Sequence, residues 1–180
     1  LGMSMLAHFF DIEKDSRALF EGLEISKQKE LCVQWMSQYP VIFITFKKVD
    51  GLNFKSAYEM LEVTIAEFCQ SHSFLLESEK IVKEQKEVFQ RLKECKASKT
   101  ELKNSLELLT RMMQAHYGRP VILLLDEYDV PIAKASSNGY YKEMLEVMKA
   151  MLGSSLKDNP SVKFAVITGC LKVAKESIFT

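Results

Sequence analysis

The 180 residues are the size of one domain, and a hydrophobic content of 47% is enough for a sizeable core. Lys+Arg and Asp+Glu balance at 24 each, so net charge draws the chain neither to nucleic acid nor to an anionic membrane surface, and nucleic acid enters only as an indirect partner. No apolar run reaches the roughly 18 residues of a membrane span, no charged-then-apolar leader opens the chain, and Cys32, Cys69, Cys95 and Cys170 are too scattered for a metal clip or disulfide framework.

Free cysteines predict a reducing, cytoplasmic setting, with three of the four on apolar faces of predicted elements. A start at Leu1 rather than Met predicts a piece of a longer polypeptide.

Met5, Leu6, Phe9 and Phe10 stand at helical spacing, so the chain is expected to open inside a helix. Asp15 or Ser16 caps a short helix through Leu19, ended by Gly22. Ser26 starts a stronger one, with Leu31, Cys32, Trp35 and Met36 on one face and a stop before Pro40. Val41 to Phe46 is an apolar, β-rich run followed by an exit turn over Lys47 to Gly51, which reads as an interior strand. Phe54, Ala57, Tyr58, Leu61, Ile65 and Phe68 then mark an amphipathic helix.

Ser78 to Cys95 is a charged helix with a narrow apolar stripe, and its lysines and arginines alternate with acids as on a solvated face. Ser98-Lys99-Thr100-Glu101 is a capping box opening a helix that aligns Leu102, Leu106, Leu109, Met112, Met113 and His116 until Gly118 ends it. Residues 78–117 therefore predict a helical hairpin inserted between strands, with His116 a satisfied or capping residue.

Val121 to Leu125 is a short unbroken apolar run, the pattern of a strand buried on both faces of a parallel sheet. Pro131 is read as a breaker, and Ser137-Asn138-Gly139 as the entry to a helix bearing Tyr141, Met144, Leu145, Met148, Met151 and Leu152, closed by Gly153. Its methionines are read as core filler. Asn159-Pro160 turns into a third interior strand, Val162 to Ile167. Strands alternating with helices give an α/β fold, a three-layer sandwich with a parallel sheet.

The central strand stops at Asp126, Glu127 and Asp129. Ligands bind at the carboxyl ends of strands in open α/β sheets, and successive strand residues point to opposite faces. Asp126 can then lean toward a metal's water shell and Glu127 toward an attacking water, the arrangement of a Walker B element over residues 121–127, the alternative being a strand that ends in solvated acids before a turn. Asp129 is grouped with Asp126 on the nucleotide-binding side. Thr168, a small polar residue closing the third strand, suits a hydroxyl that senses a terminal phosphate, and equally an ordinary turn threonine.

Three further stretches point the same way: Leu19 to Ile25, Tyr39 to Phe43, and Thr168 to Phe179. Together with Val121 to Asp129 they resemble the AAA-ATPase-like domain of uncharacterised bacterial proteins, which typically carry a PD-(D/E)XK nuclease-like domain farther along. The resemblance implies a P-loop NTPase fold of the additional-strand, catalytic-glutamate type, with ATP and Mg²⁺ as ligands of the intact parent. By position it makes Asp126 the metal residue, Glu127 the general base and Thr168 the sensor. Lys172 stands where that family often shows an arginine reaching the γ-phosphate, and a lysine lacks the bidentate fork.

The chain departs from the family in one respect: no G-x-x-x-x-G-K-[ST] loop occurs, and Leu1 to Leu6 resembles the helix that follows it. The chain alone is therefore expected to bind ATP poorly and to be inactive. The resemblance also puts the family's first strand beside Val162 to Ile167, which predicts an open sheet edge there and self-association through it. A second reading is a non-catalytic scaffold that keeps the fold and recognises a protein or DNA. A nuclease metal centre of the PD-(D/E)XK type is disfavoured, because its strand lysine would fall at Asp129.

Overall fold

A computed structural model of the chain describes residues 2–170. Three parallel strands, β1 (Val41–Thr45), β2 (Val121–Asp126) and β3 (Val162–Ile167), form a sheet in the order β1-β2-β3. Ile42 is the register partner of Leu123 and Thr45 of Asp126, while Leu125 pairs with Ile167. Val121 to Leu125 are all 0% exposed, as an unbroken apolar run flanked by two strands requires.

Alternation along β2 divides its side chains between two cores. Val121, Leu123 and Leu125 join the main cluster with Leu61 and Ile65 of α4 (Phe54–Ser71), Leu109 and Met112 of α7 (Ser105–Tyr117), and Met148 of α9 (Tyr141–Leu156). Ile122 and Leu124 face the other way, onto Met3 and Ala7 of α1 (Gly2–Phe10). Helices thus cover both faces of the sheet.

The structure corrects several boundaries. On α1 the buried residues are Met3, Ala7 and Phe9, and Met5 is 45% exposed. Ser26 does not start a helix: it lies in a single 3₁₀ turn, Glu24–Lys27, and its hydroxyl donates to the Leu23 carbonyl. α2 (Arg17–Phe20) is one turn, and α3 (Lys29–Trp35) leaves Leu31 45% exposed.

The charged helix α5 (Lys83–Lys93) starts five residues after Ser78, because Ser78 and Lys80 are engaged elsewhere. The Ser78 hydroxyl lies 2.9 Å from His116 Nδ1, and Lys80 Nζ donates to the His116 carbonyl at 2.9 Å. α5 packs on both α4 and α7.

The helix opened by the Ser98 capping box is two helices. α6 (Lys99–Lys103) ends at Asn104, whose φ of −98° and ψ of 8° leave the helical basin before α7 begins. Asparagine is a weak helix-interior residue, and the break keeps Leu102 and Leu106 both buried.

Pro131 initiates a helix. It lies in the first turn of α8 (Val130–Asn138), where a missing N–H costs nothing, and Gly139 ends the helix at φ 84°. α9 runs through Gly153 to Leu156. The expectation for the cysteines was too apolar: Cys69 is buried, which pushes its thiol up to about 12, Cys32 is half-buried, and Cys95 and Cys170 are exposed. Among the described residues Val162–Ile167 pairs only with β2, and most of its side chains are half-buried. Apolar composition alone does not separate a central strand from an edge. No helix among the described residues is long and apolar enough to cross a membrane.

Candidate functional site

Parallel pairing brings three strand ends to one side of the sheet. Thr45 and Asp126 close β1 and β2 as register partners, and Thr168 follows β3 directly. Backbone bonds hold these ends together: Phe46 N–H donates to the Asp126 carbonyl at 2.9 Å, and Thr168 N–H to that of Leu125 at 2.9 Å. The Tyr128 N–H returns a 3.2 Å bond to the carbonyl of Thr168.

Within this frame the Thr168 hydroxyl donates to Asp126 Oδ1. Two residues 42 positions apart, chosen from sequence as metal carboxylate and sensor, are in direct contact. Both side chains are half-buried, so each keeps a solvent-facing side.

Glu127 leaves the strand with φ 53°, a left-handed conformation that few non-glycine residues adopt. That geometry turns the chain out of the sheet, and Glu127 stays half-buried beside Asp126. Such backbone strain clusters at functional sites because the surroundings hold it in place.

Asp129 is 3% exposed, and its Oδ2 accepts a 2.7 Å bond from the N–H of Cys170. It therefore faces the turn after β3. Sequence reading missed Gly169 in that turn: a Cβ there would lie 2.7 Å from both Asp129 Oδ1 and Tyr128 Cε1. The available signal was a glycine directly after the candidate sensor. Lys172 lies outside the described residues.

α1 completes the setting. Its last residue, Phe10, accepts from Tyr39 N–H at 3.0 Å, just before β1 begins, and the helix packs on both β1 and β2. Met3 and Ala7 lie against Val41, Ile122 and Leu124 on one face of the sheet.

These donors suit magnesium. Asp126 and Thr168 offer hard oxygen atoms, and among the described residues no group of three or more His, Cys, Asp and Glu side chains converges on a metal. A single carboxylate is the protein share that Mg²⁺ takes when phosphates and water supply the remaining ligands.

The family model described as "Predicted AAA-ATPase" matches residues 1–179. No curated protein and no solved structure matches the chain.

Proposed function

The chain belongs to the predicted AAA-ATPase family, and from that premise we propose that Asp126, Glu127 and Thr168 form the hydrolytic side of a Mg·ATP site. The observation that carries this reading is the Thr168 hydroxyl on Asp126 at the carboxyl ends of adjacent parallel strands. Asp126 holds the water shell of the metal. Glu127, turned out of the strand, accepts a proton from the attacking water. Thr168 orients Asp126 and reads the terminal phosphate. When bound, Mg²⁺ would neutralise phosphate charge, with Asp126 the residue that would hold it. Asp129 supports the pair from behind, and Lys172 is the candidate for γ-phosphate contact.

A phosphate-cradling G-x-x-x-x-G-K-[ST] loop is not among the 180 residues. The test is a calorimetric titration of Mg·ATP into this chain and into a form extended through its native upstream residues. Binding by the extended form, lost on Asp126→Ala, supports the reading. Absence of binding by the extended form overturns it and leaves a non-catalytic scaffold for a protein or DNA partner.

A further inference from the structure

We propose that Asp129 is a positioning residue: its carboxylate latches the turn Thr168-Gly169-Cys170 and so keeps the Thr168 hydroxyl in register with Asp126. The functional consequence rests on the ATPase reading above, but the latch itself does not.

Asp129 occupies the N-cap of α8, where an aspartate ordinarily accepts from its own helix, yet it makes no side-chain cap there. Instead Oδ2 accepts from Cys170 N–H at 2.7 Å, 41 residues away. A carboxylate only 3% exposed requires such partners, since burying it without hydrogen bonds is costly. A charge-assisted bond from an amide is short and strong, as this one is.

The other side of the turn is fitted to the same carboxylate. Gly169 passes so close that any Cβ would sit 2.7 Å from Asp129 Oδ1 and 2.8 Å from its Cγ. Thr168 is then held on three sides: its N–H by Leu125, its carbonyl by Tyr128 N–H, and its hydroxyl on Asp126. The first two bonds fix the backbone of Thr168 itself. The Asp129 bond fixes the residue that leaves the turn, and with it the direction in which the chain departs. Without it the turn is tied, among the described residues, only through Thr168, and the hydroxyl's hold on Asp126 loosens.

The same residue joins this turn to α8, because the Ala133 N–H donates to the Asp129 carbonyl at 2.9 Å. Side chain and main chain of one aspartate therefore hold the sensor turn against the first turn of a helix.

The experiment compares Asp129→Ala with Asp129→Asn, which keeps an acceptor oxygen, and reads amide hydrogen exchange at Thr168 and Cys170 in the nucleotide-free chain. The latch predicts exchange at Cys170 faster by roughly tenfold or more in Asp129→Ala and restored toward wild type in Asp129→Asn. Unchanged exchange in a folded Asp129→Ala overturns it. Gly169→Ala attacks the same contact from the exposed side, and its effect stands in if Asp129→Ala does not fold. Acceleration at Cys170 in Gly169→Ala supports the latch, and wild-type exchange overturns it.

A second arm uses the form extended through its native upstream residues. There Asp129→Ala lowers kcat while KM for ATP moves by less than about twofold, as a transition-state positioning role requires. A loosened turn in a protein that turns over no ATP even as wild type leaves the latch standing and removes the ATPase reading.

Discussion

The phenol of Tyr140 donates a 2.7 Å hydrogen bond to the carbonyl of Gly51, 89 residues earlier in the chain. Asn138 Nδ2 donates to the same oxygen at 3.1 Å, and Lys134 pairs with Asp50 at 3.1 Å, so α8 and the start of α9 hold the loop that leaves β1 at the candidate site. Tyr140→Phe is expected to lower stability by about 1 kcal/mol. Gly51→Ala is expected to cost more. Its Cβ would meet Ser56 Oγ at 2.3 Å and the Ala57 nitrogen at 2.5 Å, displacing the Asn53–Ser56 capping box. Urea denaturation of both variants checks the order.

Glu127 joins strain to chemistry. Glu127→Gln in the upstream-extended form is expected to keep Mg·ATP binding and lose turnover by about 100-fold or more, read by single-turnover hydrolysis beside calorimetry. Glu127→Gly relaxes φ 53° and is expected to raise stability by up to about 1 kcal/mol, with the same loss of turnover. A thermal midpoint below wild type would show that Glu127 makes contacts worth more than its strain.

Leu123 is the middle of the central strand and is 0% exposed. Leu123→Ala is expected to cost about 2–5 kcal/mol through lost transfer energy and a residual cavity. Val63→Ala, at a site 38% exposed on α4, serves as the control and is expected to stay within about 0.5 kcal/mol. Denaturant midpoints at equal slope separate the two.

Acid stability depends on Glu101. Its hydrogen bonds from the Arg91 guanidinium and from the Ser98 N–H lower its carboxyl from 4.5 to about 2. A carboxyl lowered on folding contributes stability that is fully present above the unfolded value and is lost as pH falls toward about 2. Wild type is therefore expected to lose denaturant midpoint between those limits faster than Glu101→Gln, whose midpoint is lower at neutral pH. Solvent at this half-exposed pair keeps the difference small. Parallel pH profiles of the two variants would sink the assignment.

β3 pairs on one side only among the described residues. An apolar strand with an open edge is a template for a second chain, so these 180 residues by themselves are expected to dimerise at high concentration. Light scattering that reports a monomer throughout would argue against this.

What the sequence determined by itself was whatever depends on neighbours along the chain. The run Val121 to Leu125 announced a strand buried on both faces, the spacing from Phe54 to Phe68 a helix, and Ser98 with Glu101 a capping box. Asp126, Glu127 and Thr168 were legible as candidates because polar residues at the ends of apolar strands are rare and lie where parallel sheets bind ligands.

Tertiary structure decided what depends on partners far away in sequence. Pro131 reads locally as a breaker, but its place in the first turn of α8 is set once Glu127 turns the chain. Asp129 looks like a nucleotide contact from sequence, yet it points into the protein, because an amide 41 residues on and a glycine with no Cβ leave its carboxylate a place there. Periodicity reports which face of an element is apolar. Only packing determines what that face, or a single buried charge, meets.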